Sequence, residues 1–286
     1  MSQLTGLPPV TLDEILDEVR QLPSLPAIVT ELIATLDNED TDIERLAGGI
    51  AKDQALAARA LRVANSPFYG MQSRVETIHD AILVLGFRAV VNLVTTASLS
   101  GFFKPVAESG FDLTRFWRHG IGVALAGRAL AGKAGLSGER CFTAGLLHDI
   151  GRLLLATTRP HHYAAVLDWR SRTDAYLVEA ERHCLGLDHV QAGEALARRW
   201  RLPEDICLAV AAHHEPTNAP TSGLADVIHV ADALAHALDL AGDPQALVPP
   251  VRRESWRRLG LDQTPMTPLL STIEQEHEGY CALLSR

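Results

Sequence analysis

The run Phe142–Ala156, "FTAGLLHDIGRLLLA", is largely apolar, yet it carries His148 and Asp149 side by side and Arg152 just after them. A buried carboxylate is costly unless something pairs with it, and a cation held between helices is one such partner. Four more places set a titratable side chain in a similar context. These are His119 in "FWRHG", His189 directly after Asp188, His213-His214 before Glu215, and Asp232 in the apolar stretch "VIHVAD". Imidazoles and carboxylates together are ligands for Fe, Mn, Ni, Zn or Mg, and the cation would compensate the buried aspartates.

Spacing adds two expectations. Neighbouring residues on a helix point about 100° apart, so His148 and Asp149 reach one ion only if it lies over the seam between them. Ala144 and Gly145, one turn earlier, leave room there. His189 at a helix start meets the positive end of the dipole, which favours the neutral, ligating imidazole. Taken singly, each of these residues has an ordinary structural explanation; the combination is what points to a metal. His161-His162 read as exposed surface. His79, His183, His229, His236 and His277 have no context that separates them from structural histidines.

The elements that would position this set all read as helices. Ser24-Leu25-Pro26, Asp42, Asp53 and Thr77 (with Asp80 three residues on) are start signals before apolar residues at helical spacing. Asn65-Ser66-Pro67 reads as a stop and Gly86 as a sharp turn before a helix from Arg88 to Phe103. Beyond a looser stretch from Lys104-Pro105 to Gly110, helices are expected over Leu113–Ala134, Cys141–Thr157, Pro160–Arg172, Asp174–Leu185, His189–Trp200, Pro203–His213 and Ser222–Leu240. A tail with short helices near Trp256 and over Pro268–Leu284 follows. No period-2 strand pattern or fixed repeat is present. The expectation is an all-α protein of two helical subdomains, 12–110 and 111–286.

Composition narrows the function classes. The chain has 286 residues, 47% of them hydrophobic, enough for one large domain or two ordinary ones. No apolar stretch reaches membrane-spanning length, and the N-terminus lacks a signal-peptide pattern, so a cytoplasmic protein off the membrane is expected. Lys and Arg number 26 against 35 Asp and Glu, a net charge of -9 that disfavours non-specific DNA binding. The one segment resembling a helix-turn-helix has the would-be recognition helix Ala89-Val90-Val91-Asn92-Leu93-Val94, too apolar to read bases. Cys141, Cys184, Cys207 and Cys281 form no C-x-x-C pair and read as free thiols.

The ordered set His119, His148-Asp149 and Asp232 resembles the HD superfamily of metal-dependent phosphohydrolases, and His189 and His213-His214 look like the extra ligands of its HD-GYP branch. The segments "LPSLPAIVTELIATL", "IAKDQALAARALRVANSPFYG", "TIHDAILVLGFRAVVNLV", "GLDHVQAGEALARRWRLPEDI" and "AAHHEP" are similar to HDOD domains, over roughly Leu12 to Leu240. That resemblance implies a bacterial regulatory protein acting through other signalling proteins or through a nucleotide or cyclic dinucleotide ligand, with a retained metal site. Its alternative is a metal-dependent phosphohydrolase. There His119, His148, Asp149 and Asp232 would hold one ion and His189, His213 and His214 a second. Asp149 and Arg152 would then sit at the chemistry, with Arg152 standing where HD-GYP proteins carry lysine and offering a phosphate-binding cation. "PTNAPTSG" after "HHE" contains no Gly-Tyr-Pro, which points away from cyclic di-GMP hydrolysis and leaves metal binding open. An exposed apolar face would permit a homo-oligomer; none is identifiable from the sequence.

Overall fold

The computed structural model of the chain describes residues 7–22, 24–36, 42–65, 74–103, 106–216 and 223–284. Among these residues there is no strand: the protein is all-α. Before Gly110 lie α1 (Leu12–Gln21), α2 (Ala27–Ala34), α3 (Ile43–Lys52), α4 (Gln54–Ala64), α5 (Ile78–Leu85) and α6 (Phe87–Phe102). After it come α7 (Leu113–Leu130), α8 (Gly138–Leu147), α9 (Ile150–Thr158), α10 (Pro160–Thr173) and α11 (Leu177–Leu185). The order continues with α12 (His189–Arg199), α13 (Glu204–Ala212), α14 (Gly223–Ala237), α15 (Arg253–Arg258) and α16 (Met266–Leu284).

Several start signals work as read. The Asp42 side chain accepts from the Arg45 N–H, and Thr77 and Asp80 form a reciprocal capping box at α5. Asp188 does the same with Gln191 at α12, which sets His189 in the first turn. The expected signals at Ser66-Pro67, Lys104-Pro105 and Ser222 lie outside the described residues.

Helices α2 to α6 pack on one another, and α1 instead packs on α12, tied there by the Val10 N–H to Leu185 carbonyl bond of 2.7 Å. In the second half, α7 is the central element and touches α8, α14 and α16, while α9 and α13 flank α12. Apolar side chains from Val10 to Cys281 join into one core cluster. Besides the α1–α12 contact, the two parts of the chain meet where α6 lies on α8. There Asn92 accepts from the Thr143 hydroxyl at 3.1 Å and donates to Glu139. Val90, Val91 and Val94 are buried, so the α6 face that a recognition helix would need is core.

The structure corrects one expectation that matters for function. The continuous helix over Cys141–Thr157 is two helices. His148 ends α8, and Asp149 precedes α9 with φ -101° and ψ 13°. That backbone falls in the sparsely populated bridge region where active-site residues often sit. The break re-aims the pair, so both side chains point to one place without sharing a helical seam. Two glycines draw the neighbouring helices in. A Cβ on Gly145 would stand 2.7 Å from the Ala124 Cα of α7, and one on Gly151 would stand 1.9 Å from the His189 carbonyl oxygen of α12. Gly145 therefore serves the α7–α8 crossing, beyond leaving room for an ion.

Candidate metal centre

Five elements deliver the candidate ligands to one buried spot. His119 comes from α7, His148-Asp149 from the α8–α9 break, His189 from the first turn of α12, His213-His214 from the end of α13, and Asp232 from α14. His119, His148, Asp149, His189, His213 and Asp232 are all buried, and His214 is half-buried. Every residue expected to ligate is in the cluster.

Asp149 is its hub. One carboxylate oxygen, Oδ1, lies 3.3 Å from Nε2 of His189 and 3.7 Å from Nε2 of His213. The other, Oδ2, lies 3.6 Å from Nε2 of His148 and 3.9 Å from Nε2 of His119. His119 Nε2 is also 3.0 Å from Oδ1 of Asp232. Ligands at 2.0–2.2 Å from a shared ion stand about 3–4 Å apart, so these spacings suit coordination on both sides of Asp149.

The ring tautomers point the same way. His148 donates its Nδ1 proton to the Gly145 carbonyl at 2.7 Å, and His213 donates to the Val210 carbonyl at 2.8 Å. Both donations leave Nε2, with its lone pair, facing the cluster. Nε2 of His148 and Nδ1 of His119 are buried without a hydrogen-bond partner, and Nε2 of His119 and Oδ1 of Asp232 face each other at 3.0 Å. Nε2 of His189 lies 3.1 Å from that of His214 and 3.4 Å from that of His213. Converging acceptors in a buried space need a proton or a cation between them. The residues present fit divalent metal.

Electrostatics sort the groups. Burial holds the imidazoles of His119 and His148 below the ordinary histidine range and His213 far below it; burial with the neighbouring His189 puts His214 at about 4. These rings stay neutral and able to ligate. Burial also works against the charged carboxylates of Asp149 and Asp232. Their neighbours outweigh it, His148 and Arg152 foremost for Asp149, and His236 with the His119 hydrogen bond for Asp232, and both carboxyls are held well below the usual carboxylate range. His189 departs from the expectation that its helix start keeps it neutral. Burial lowers it, but Glu181 (2.5 Å from Nδ1) and Asp149 overcome burial and raise it to about 9. The buried carboxylates outweigh the helix dipole.

Arg152 borders both cavities beside the cluster and is already paired there. Its guanidinium donates to Oδ2 of Asp149 at 2.7 Å, so it serves first as counter-ion to the hub carboxylate. Two residues escaped sequence reasoning. His236, one turn past Asp232 on α14, has Nε2 at 3.4 Å from Asp232 Oδ1 and its ring centroid 4.5 Å from that of His119. Its i+4 spacing from Asp232 was a usable signal. Glu181 lies on α11 and accepts from both the backbone N–H and the Nδ1–H of His189. Only the tertiary turn into α12 reveals it. His229, taken as an ordinary structural histidine, orders the site's edge: it donates to the His213 carbonyl at 2.7 Å and accepts from the Arg252 N–H.

A cavity of about 260 Å³ opens beside the cluster. Asp149, His189, His214 and Asp232 form its floor, Arg152, Arg182 and Arg252 reach its walls, and Leu177, Leu247 and Pro249 give it an apolar side. A second cavity of about 470 Å³, between Phe111 and α10, reaches His119, His236 and Arg152.

The HDOD domain model matches residues 22–216. The chain belongs to the HDOD domain family. Among solved structures, an HDOD domain protein of unknown function from Geobacter sulfurreducens superposes with a TM-score of 0.79 at 25% identity, over 96% of this chain and 99% of that one. A Shewanella amazonensis SB2B protein whose description proposes a phosphohydrolase gives 0.73 at 27% identity, over 94% and 97%. A Marinobacter aquaeolei VT8 protein whose description proposes signal transduction gives 0.80 at 25%, over 99% and 64%. By sequence, an uncharacterized protein of Treponema pallidum (strain Nichols) is 24% identical over 72% of this chain, and this HDOD chain spans 40% of that relative's length. Ribonuclease Y of Thermus thermophilus is 33% identical over 42% of this chain, which spans 16% of that enzyme. No helix among the described residues is long and apolar enough to cross a membrane.

Proposed function

We propose that this HDOD protein is a cytoplasmic signalling component that binds two divalent ions and a small phosphorylated ligand in its C-terminal helices. The helices before Gly110 present the surface for a partner signalling protein. The observation that carries this reading is the hub geometry of Asp149, whose two oxygens face two groups of imidazole Nε2 atoms, His119 and His148 on one side and His189 and His213 on the other. A divalent ion there supplies Lewis acidity toward a phosphoryl oxygen and lowers the pKa of water. The chain's own groups do the rest. Glu181 fixes the His189 ring through Nδ1, and the Gly145 and Val210 carbonyls fix His148 and His213. Arg182 and Arg252 border the cavity already paired with Asp188 and Glu215, so an entering phosphate trades places with a carboxylate partner. Metal analysis of protein purified without chelator tests the reading. Two equivalents in the wild type, lost in Asp149→Ala, are expected; a folded wild type free of metal would remove it.

A second reading is hydrolysis of a phosphoester by the same centre. It is favoured by the cavity, which places arginines and an apolar wall beside the ligand cluster, and by the stretch similar to a ribonuclease. A screen of cyclic dinucleotides, nucleotides and generic phosphodiesters with Mn, Fe, Ni and Mg tests it. Turnover abolished by Asp149→Ala supports hydrolysis; silence across the screen leaves the binding role alone.

A further inference from the structure

Helix α13 ends at Ala212, and a carbonyl just past a helix end has no intrahelical partner. The His213 carbonyl finds one outside, in the Nδ1–H of His229 from α14 at 2.7 Å. Nε2 of His229 in turn accepts from the Arg252 N–H at 2.9 Å. The His229 ring is buried, and one donation with one acceptance uses both nitrogens of a neutral imidazole. Arg252 returns to the same stretch a second time, where its guanidinium pairs with Glu215. The short run that supplies His213 and His214 is thus held by one residue of the C-terminal tail, once directly and once through His229.

That tail residue closes an unusual segment. Residues 247–252 form no helix, and none of the six is buried. Pro249 and Pro250 have no N–H to give. Yet Leu247, Pro249, Pro250 and Arg252 all border the cavity beside the cluster. The segment is fixed at its flanks. Before it, Arg170 donates to the Gln245 carbonyl at 2.6 Å. After it, α15 is tied to α14: the Ser255 hydroxyl donates to Asp226 Oδ1 at 2.6 Å and Arg258 to Oδ2 at 2.7 Å. Between these anchors the Tyr176 hydroxyl reaches the Val248 carbonyl at a long 3.4 Å, and Val248 is 51% exposed. A stretch with so few buried apolar contacts opens locally at low cost.

One face of α14 joins the two ends of this chain of contacts. Asp226, His229 and Asp232 recur at a spacing of three. Asp226 holds α15, His229 holds Arg252 and His213, and Asp232 faces the cluster. All three lie beyond residue 216, where the family match ends.

We infer that His229 is a positioning residue that couples the His213-His214 pair to residues 247–252, so that divalent metal in the centre and order in this wall of the cavity favour each other. The coupling runs both ways, as any linkage must. Metal holds His213 in place, which keeps His229 on the Arg252 N–H; opening of the segment frees His229 and loosens His213. The inference rests on the reading that the centre binds divalent metal.

The test uses the full chain, metal-free and loaded with Mn2+, with hydrogen exchange read on peptides spanning residues 247–253. In the wild type, Mn2+ should slow exchange there by about tenfold or more. His229→Phe keeps a ring in the site and removes both bonds, and its segment should exchange fast with or without Mn2+. A residue that only props the fold would shift both states alike, so the metal dependence is the signature. A second pair of variants acts from the surface. Arg252→Ala and Arg252→Pro both remove the guanidinium, and only proline removes the N–H. Arg252 has φ -68°, which proline accepts, and Pro26 and Pro203 hold the same position before α2 and α13. Mn2+ affinity should fall about tenfold further in Arg252→Pro than in Arg252→Ala. Equal affinities in that pair, slowing by Mn2+ that persists in His229→Phe, or Mn2+ bound to the wild type without slowing would each overturn the inference and leave the metal reading standing. No Mn2+ in the folded wild type would overturn both.

Discussion

Helices α2–α6 and helices α7–α14 are built from the same apolar periodicity, yet they spend burial differently. Between Ser24 and Phe103 the buried polar residues of the described chain are Asn92, Thr95, Thr96 and Ser98, none of which titrates. Every buried histidine, aspartate, glutamate and arginine of the described residues lies beyond Gly110. The first region is packing, and its stability rests on apolar area. The second carries His119, His148, Asp149, Glu181, His189, His213 and Asp232 against the desolvation cost of charge. A chain keeps such a cost where the groups do something together. The comparison teaches where chemistry sits, and it can be broken by experiment.

The largest effect belongs to the hub. Asp149→Ala leaves the partly buried Arg152 and the buried His189 without their shared carboxylate, and removing one partner of a buried pair costs roughly 3–5 kcal/mol. Urea denaturation of the metal-free protein should show that loss, and metal should vanish from both positions. A change below about 1 kcal/mol would mean that the second region tolerates stray charge as a surface does.

Next is Gly151→Ala. The added Cβ falls 1.9 Å from the His189 carbonyl and near the Gly193 backbone at 2.6 Å, so α9 and α12 must part. Overpacking of this kind costs about 1–3 kcal/mol. Because the same contact sets Asp149 against His189, the variant should also lose the metal held by His189, His213 and His214. Unchanged stability with unchanged metal would show that the close approach of α9 and α12 does not position the centre.

How much of this was legible in the sequence follows from the range of each interaction. Caps at Asp42, Thr77 and Asp188 are local, and they read correctly. The seven residues expected to ligate come together in one cluster, and each stands out in the sequence as a polar residue in apolar or helix-terminal surroundings. The break at His148-Asp149 was not legible. Its flanks are good helix formers, and the close approaches of Gly145 to α7 and Gly151 to α12 that accompany the kink are long-range contacts. Glu181 was hidden for the same reason: its partner, His189, lies across a turn. The pairing of Arg152 with Asp149, three residues before it, becomes visible only with the turn between α8 and α9 in place.

Glu181→Gln sharpens the comparison through pH. His189 has its folded pKa raised from 6.5 to about 9, chiefly by Glu181 once burial is overcome. A group raised on folding stabilises fully below its unfolded pKa, and that contribution is lost as pH rises through the folded value. Metal-free wild type should therefore lose stability from pH 6.5 to 9, and Glu181→Gln should flatten that slope. Metal uptake runs the other way, since ligation must expel the His189 proton: wild-type affinity should rise with pH through the same window. Removing the orienting carboxylate should cost about 10–100-fold in affinity at high pH. Isothermal titration at pH 6.5, 8 and 9.5 checks both slopes. A variant with the wild-type pH profile would take Glu181 out of the site.

The smallest effect should have the opposite sign. Gly48 lies within α3 of the first region, exposed, and a Cβ there meets nothing within 4 Å. With no steric cost, alanine removes the conformational penalty of a mid-helix glycine, about 0.5–1 kcal/mol in favour of the fold. Gly48→Ala and Gly151→Ala are thus the same chemical change with opposite outcomes, set by whether a neighbouring backbone is close. Urea midpoints should move up for the first and down for the second. Should Gly48→Ala instead destabilise by more than about 1 kcal/mol in solution, something must cover that face of α3. The first region would then be an interface as well as a core, and the partner surface assigned to it would have a starting point at Gly48.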